Sequence, residues 1–240
     1  LLVKKNNLNS ISFGRVGIGP LVEYAIFKEY VEPIQPKNVF WFFYENDFVD
    51  LIYEKKFSLL NQYLNDNSFS QQLIERQEEI DSIITKYNNI EIKKITDNDN
   101  VRKKNNYIFL DSFLRILKLY NIRFLLNITP MPKNDINIKN DFKKIIFKTK
   151  NKISDWGGNF YLVYLPSYKH VVTKNYSEYN FLINFSKELD VILIDLYANT
   201  FKNHKDPLSL FPFGLNGHYN EHGYKLVAEK IIESVLSEQK

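Results

Sequence analysis

Residues of a chemically useful type occur at three separated places in this chain of 240 residues. Residues 14–20 contain three glycines, which permit a tight backbone turn after a short predicted strand. Asn46 follows a strongly apolar run, and His218 lies in the last long loop. Each of them alone suits an ordinary turn or a solvated loop. In an open parallel sheet, however, all three positions fall at the carboxyl ends of the strands, where such sheets bind ligands.

A second interpretation of the histidines is a metal site. His218 and His222 are four residues apart, the spacing of a helical metal-binding pair, and His204 and Asp206 lie nearby in the sequence. This alternative predicts a metal-dependent hydrolase. We rank it below a metal-free site because a helix capped at Asn220 leaves His218 outside the helix, so the two imidazoles need not share a face.

The elements that would position these residues alternate between strand and helix. Continuous apolar runs predict buried strands at 38–44, 159–165 and 191–196, preceded by a short strand at 9–13. Apolar residues at helical spacing predict helices at 21–31, 69–87, 107–126, 141–156, 177–189 and 221–236. Residues 88–106 are polar and rich in Asn and Lys, which predicts a linker or surface insertion. The alternation favours an α/β fold with a parallel sheet.

Composition excludes several classes of protein. Hydrophobic residues make up 44% and charged residues 25%, as in an ordinary globular chain, and the net charge of +4 gives no reason to expect a nucleic-acid partner. The chain has no Cys, which excludes disulfides, a thiolate nucleophile and a Cys-based zinc site. The longest apolar runs are far shorter than the roughly 20 residues that span a bilayer, so no membrane segment is predicted.

Three segments together resemble a known family. They read FGRVGIGP at 13–20, FFYEND at 42–47 and NGHYNEHGY at 216–224. In order and spacing they are similar to the SGNH (GDSL-type) hydrolases over essentially the whole chain. The resemblance implies a three-layer α/β/α sandwich with a parallel flavodoxin-like sheet. We expect one domain over 1–240, with a helical insertion at about 57–156.

The resemblance also implies an activity and a set of site residues. Gly17 and Asn46 match the residues that stabilise the oxyanion, and His218 matches the base. Loss of one oxyanion donor typically costs about 100- to 1000-fold in rate. The implied function is hydrolysis or transfer of an O-acyl ester through a serine-bound acyl intermediate, without a metal or organic cofactor. The implied partner is a small-molecule or glycan ester, with a bacterial glycan preferred; the oligomeric state is left open.

The chain departs from the family pattern at its start. The nucleophilic Ser belongs to a GDS motif several tens of residues before the glycine turn, yet sixteen residues precede Gly17 and none forms that motif. Ser10 and Ser12 align with a different block. We therefore expect an N-terminally truncated copy that lacks the first strand and its Ser, and that is inactive and poorly folded alone. Family analogy places such proteins outside the cytoplasm, anchored through an N-terminal segment.

A second departure concerns the acid of the triad. The family places an Asp two or three residues before the catalytic His, where this chain has Asn216 and Leu215. Three arrangements are possible. Asp206 could fold back to the imidazole, Asn216 could orient the ring through its amide oxygen, or the enzyme could use a Ser–His dyad.

A third class of function is a non-catalytic module derived from the hydrolase that binds carbohydrate or takes part in assembly. The many aromatic residues permit stacking against sugars, although buried strands and helices account for most of them. Inertness of the intact protein toward acyl esters and fluorophosphonate probes would favour this class.

Overall fold

The computed structural model describes residues 9–15, 17–104, 136–174 and 176–237. The chain divides into two compact units, one formed by Leu1–Ser70 with Asp135–Lys240 and the other by Gln71–Asn134. The second unit contains fewer residues than the insertion predicted at 57–156. The sheet and every candidate site residue belong to the first unit.

Three parallel strands form the sheet of the first unit. They are β1 (Asn38–Phe43), β2 (Asn159–Tyr164) and β3 (Ile192–Asp195), in the spatial order β1–β2–β3. The strands predicted at 38–44, 159–165 and 191–196 are confirmed. In the register of the sheet, Phe43 lies beside Tyr164 and Tyr164 beside Asp195. The carboxyl ends of the three strands therefore coincide, and the segments that follow them start side by side.

Helices make up most of the other regular structure in the described residues, so the protein is a mostly helical α/β structure. The α-helices are α1 (Pro20–Ile26), α2 (Asp47–Glu54), α3 (Ser58–Asn65), α4 (Gln77–Lys104), α5 (Ile136–Asp155), α6 (Tyr168–Thr173), α7 (Ser177–Glu188) and α8 (Glu221–Ser237). A π-helical turn, Phe27–Val31, extends α1. The helices predicted at 21–31, 141–156, 177–189 and 221–236 are confirmed to within a few residues.

Packing between the helices fixes the part of the molecule that precedes β1. Helix α1 contacts α2, α3 and α5, and α5 also packs on β2. Phe142 of α5 lies edge-on to Phe43 of β1 with ring centroids 5.4 Å apart, and both side chains are fully buried. The start of α1 is thereby held against α2, directly beside the end of β1.

The strand predicted at 9–13 is wrong. Residues 9–15 are irregular and mostly exposed, although the Phe13 ring stacks on Tyr30 at 6.4 Å. A strand needs a neighbouring ladder to satisfy its backbone groups, and no described strand pairs with this segment. Among the described residues β1 is an edge strand, paired only with β2.

Two predictions around the second unit also need correction. The helix expected at 69–87 begins only at Gln77, because the chain first turns at Gln72, whose φ is +56°. Helix α4 then continues through Lys104, so the polar stretch at 88–106 is not a linker over its described part. It contains no Gly or Pro, and polarity alone does not end a helix. The helix predicted at 107–126 lies outside the described residues.

In the described part of the chain, no helix is both long enough and apolar enough to cross a membrane.

Candidate active site

The glycine turn leads directly into α1. Gly17 is exposed and has a φ of +77°, a left-handed conformation that favours glycine. Pro20 occupies the first position of α1, where its missing N–H costs nothing. Gly19 is buried against α2: a Cβ at this position would lie 2.5 Å from the Cβ of Asp50. The local sequence therefore needs glycine at 17 for conformation and at 19 for close approach.

A carboxylate of α2 holds this turn in place. The N–H of Gly19 donates to one oxygen of Glu54 at 2.6 Å, and the N–H of Leu21 donates to the other at 2.9 Å. Glu54 is buried. Because Pro20 has no N–H, these two donors are consecutive along the backbone, and one carboxylate accepts both.

Asn46 lies in the turn that joins β1 to α2. The Asp47 carboxylate accepts the N–H of Tyr44 at 3.1 Å, and the N–H of Asp47 donates to the Tyr44 carbonyl at 3.1 Å, which closes the turn. Asn46 is exposed, and its side-chain amide donates to Asp50. Asn46 and Gly19 thus both contact Asp50, so two of the sequence-predicted segments converge at α2.

The carboxyl groups beneath these two segments perturb one another. Burial, followed by the charges of Glu54 and Asp50, raises the pKa of Glu23 to about 8. Burial also raises the pKa of Asp47 well above its usual range, and the charge of Glu23 raises it further. One oxygen of Glu23 is buried without a hydrogen-bond partner among the described residues. Glu23 therefore holds a proton at neutral pH, and the turn rests on a partly protonated acidic cluster.

His218 lies at the same end of the sheet. Its exposed imidazole is 5.9 Å from the ring of Tyr44, the residue that follows β1. The next residue, Tyr219, is buried and donates its hydroxyl to the carbonyl of Pro166, just after β2, at 2.5 Å. His218 is therefore positioned beside the ends of β1 and β2, through its own ring and its neighbour.

Asn220 fixes the other side of the His218 loop. Its side-chain oxygen accepts the N–H of Gly223 at 3.0 Å, which confirms the predicted cap of α8. Its side-chain amide donates to the carbonyls of Ser209 and Phe211, and its own N–H donates to the carbonyl of Leu210. His218 accordingly lies outside α8, immediately before a tightly bonded cap.

Neither predicted orienting group is hydrogen-bonded to His218 in the described structure. Asp206 is exposed; its N–H donates to Nδ1 of His204 at 3.1 Å, and its carbonyl accepts from Ser209. Asn216 is also exposed. Of the arrangements that the sequence leaves open, the geometry provides no contact for the one that uses Asp206.

The metal interpretation receives little geometric support. The rings of His204 and His222 are 6.4 Å apart. Within the described ranges, no three His, Cys, Asp or Glu side chains lie close enough together to hold a metal ion. The four residues proposed from spacing therefore do not form a ligand set in the described structure.

Sequence reasoning missed a buried histidine at the same end of the sheet. His170 of α6 is 1% exposed, its Nδ1 lies 2.7 Å from the Tyr164 hydroxyl, and its ring stacks on Tyr197 at 3.9 Å. Burial lowers the pKa of His170 to about 4. Nearby, the Tyr179 hydroxyl donates to Asp195 at 2.7 Å. The sequence feature that could have indicated this helix is Ser167, which caps it: the Ser167 hydroxyl accepts the His170 N–H at 3.1 Å.

This histidine is enclosed by aromatic rings, so it braces the ends of β2 and β3 and offers no surface to a substrate. Tyr176 adds a link to β1, because its ring stacks on His170 and its hydroxyl donates to the carbonyl of Glu45 at 3.2 Å. The network thus ties together the segments at the carboxyl ends of the three strands.

Comparison with known proteins gave no relatives: no family model, no curated protein and no solved structure matches the chain.

Proposed function

We propose that this chain contributes the oxyanion donors and the base of an SGNH-type ester hydrolase or acyltransferase. One observation carries the proposal. The glycine turn and Asn46 meet at Asp50 of α2, while His218 contacts Tyr44, two residues before Asn46. Segments that lie far apart in the sequence thus gather at the carboxyl end of a parallel sheet. The consecutive order of three parallel strands also agrees with part of a flavodoxin-like sheet.

The proposed chemistry assigns a different role to each segment. The N–H of Gly17 and the side-chain amide of Asn46 donate to the oxyanion that forms when a serine hydroxyl attacks an ester carbonyl. His218 accepts the hydroxyl proton and passes it to the departing alcohol; water then releases the acyl group. An Asn side chain has two N–H groups, so the one bonded to Asp50 orients the amide and the other is left for the oxyanion.

The proposal leaves two components unassigned within the described residues. Ser10 and Ser12 are exposed in an irregular segment, and neither is given the role of nucleophile. No carboxylate is assigned to His218, because none is hydrogen-bonded to it. The acyl ester of a bacterial glycan is the preferred substrate class by family analogy alone, since fold does not define the acyl group or the alcohol.

Fluorophosphonate labelling tests the proposal directly. The full-length protein is treated with the probe and assayed with a short-chain nitrophenyl ester. We expect a labelled serine in the full-length protein, with turnover at least about 100-fold lower in the N46A and H218A variants. H222A is the matched control, because His222 lies within α8 and contacts His204 instead of Tyr44. A folded, full-length protein that neither labels nor turns over ester would overturn the proposal.

A second candidate is a glycan-binding module without catalysis, favoured by one feature of the His218 loop. Phe213 is 97% exposed and adopts a left-handed φ of +55°, which is unfavourable for a non-glycine residue. Strain of this kind is typical of functional positions, and an exposed ring can stack on a sugar. Retention of glycan binding in H218A, together with absence of probe labelling in the wild type, would favour this candidate.

A further inference from the structure

One face of α2 is directed at the glycine turn. Asn46, Asp50 and Glu54 follow one another at four-residue steps, the spacing of side chains on one side of a helix. Asp50 accepts from the Asn46 amide and leaves no room for a Cβ at Gly19, and Glu54 accepts the backbone N–H groups on either side of Pro20. A single helix thereby contacts Asn46 and, through Gly19 and Leu21, the segment that follows Gly17.

We propose that Glu54 is a positioning residue, whose carboxylate fixes the glycine turn relative to Asn46. The proposal rests on the proposed ester hydrolase function for its catalytic consequence, but the anchoring itself is a separate structural property. Glu54 contacts no reacting atom in this scheme. It acts through the backbone of Gly19 and Leu21, which lie two and four residues beyond the proposed oxyanion donor Gly17.

The chemistry of the contact requires a carboxylate at position 54. Two backbone N–H groups point at the side chain, and a carboxylate offers two acceptor oxygens, one for each. A glutamine would offer one acceptor and would turn its own N–H groups toward the remaining donor. Hydrogen bonds to an ionised acceptor are also about twice as strong as neutral ones.

The surroundings of Glu54 influence its ionisation in opposite directions. Burial raises its pKa, and the charge of Asp50 raises it further, whereas hydrogen bonds from the backbone N–H groups of Gly19, Leu21 and Val22 lower it. The charge of Glu54 in turn raises the pKa of Glu23 in α1 and the pKa of Asp47 in α2. The ionised state of Glu54 therefore depends on its contact with the turn, which links the anchoring to pH.

Hydrogen exchange of individual amides tests the anchoring without any need for activity. In E54Q we expect the Gly19 and Leu21 amides to exchange about 10- to 100-fold faster than in the wild type, while amides of β2 are unchanged. E29Q is the matched control: Glu29 is equally buried, but its carboxylate accepts the hydroxyls of Tyr63 and Ser70. That variant should not alter exchange at Gly19. Unchanged Gly19 exchange in E54Q would overturn the positioning role.

Steady-state kinetics of the complete gene product test the catalytic consequence. A displaced donor weakens the transition state more than substrate binding, so we expect kcat in E54Q to fall at least about tenfold with KM within about twofold of wild type. E54D, which retains two acceptor oxygens, should recover part of the loss. Faster exchange with unchanged kcat would overturn the catalytic role of Glu54. An inactive wild type would overturn it together with the proposed function, and the exchange result would then decide the anchoring alone.

Discussion

Two carboxylates of α2, those of Glu54 and Asp50, hold the glycine turn and Asn46, and we call this set of contacts the frame. His218, by contrast, lies in an exposed loop that is held through its neighbours. On the first side, Gly19 is buried and bonded to Glu54, and Asn46 is bonded to Asp50. On the second side, Tyr219 and Asn220 make the anchoring bonds, and the imidazole itself has a ring contact with Tyr44.

The two regions therefore differ in kind: the glycine turn has a fixed geometry, whereas His218 is accessible to solvent. Donors that stabilise an oxyanion are effective when their geometry is fixed before the reaction, and a buried frame provides that rigidity. A base that exchanges protons with substrate and water benefits from exposure. Substitutions in the frame should therefore disturb the glycine turn, whereas substitutions in the loop should leave the glycine turn unchanged.

The largest effect is expected for G19A. A Cβ at this position would lie 2.5 Å from that of Asp50 and 3.2 Å from the Asp50 carbonyl carbon, so the turn and α2 must move apart. We expect about 1–3 kcal/mol lower stability and, in the complete gene product, about 100-fold lower kcat. Urea unfolding and ester hydrolysis measure the two effects.

Gly217 provides the matched control for that comparison. It is exposed beside His218, and a Cβ there would meet no atom within 4 Å. We expect G217A to change stability by less than about 0.5 kcal/mol. Equal losses in the two variants would show that the frame and the loop do not differ in rigidity.

The next largest effect is expected for N220A. This substitution removes the cap of α8 and the amide that bonds the carbonyls of Ser209 and Phe211. A lost cap costs about 0.5–2 kcal/mol. Thermal unfolding should show a loss of this size, and amides of the glycine turn should keep their wild-type exchange rates because the frame does not depend on α8. Faster exchange at Gly19 would contradict the independence of the two regions.

A smaller effect, specific to the frame, is expected from pH. The pKa of Glu23 is about 8 in the folded protein, compared with 4.5 for an ordinary Glu such as that of the unfolded chain. The unfolded chain therefore loses this proton first as the pH rises between these values. The free energy of unfolding should therefore fall with rising pH over that interval. E23Q mimics the protonated side chain and should flatten the decline, as measured by urea unfolding at several pH values.

His170 sets the lower limit of that measurement. Its pKa of about 4 lies below the ordinary 6.5, so the unfolded chain binds a proton first as the pH falls between 6.5 and 4, and stability decreases in that direction. The Glu23 effect is therefore read well above pH 6.5, where His170 is neutral in both states. An E23Q slope equal to that of the wild type there would exclude Glu23 as its source.

Much of the fold follows from patterns that the sequence displays openly. Apolar runs located all three strands, and Asn220 was recognisable as a cap because Asn before a helix commonly bonds its first turn. The strand predicted at 9–13 is wrong because a strand depends on a pairing partner, which the local sequence does not reveal. The polarity of residues 88–106 predicts a linker, yet α4 continues through Lys104 because nothing in the described part of that stretch breaks a helix.

The candidate site was only partly visible in the sequence for a related reason. Gly17, Asn46 and His218 stand out by residue type at loop positions, so the sequence could nominate them. The roles of Glu54, Glu23 and His170 arise from contacts between elements, and Glu54 in particular looks like an ordinary residue at the end of an amphipathic helix. Its bond to Gly19, 35 residues away, has no local signature.

The smallest effect is expected for D206A, which tests whether the loop supplies a carboxylate to its base. The Asp206 side chain is exposed, and the hydrogen bonds of this residue, to His204 and Ser209, use its backbone. We therefore expect unchanged ¹⁵N shifts of the His218 ring and, in the complete gene product, kcat within about twofold of wild type. N216A, treated identically, shows whether the neighbouring amide orients the ring instead. If D206A lowered kcat by orders of magnitude without loss of stability, Asp206 would be the acid. The loop would then close onto His218 during the reaction, and the base would be preorganised like the glycine turn.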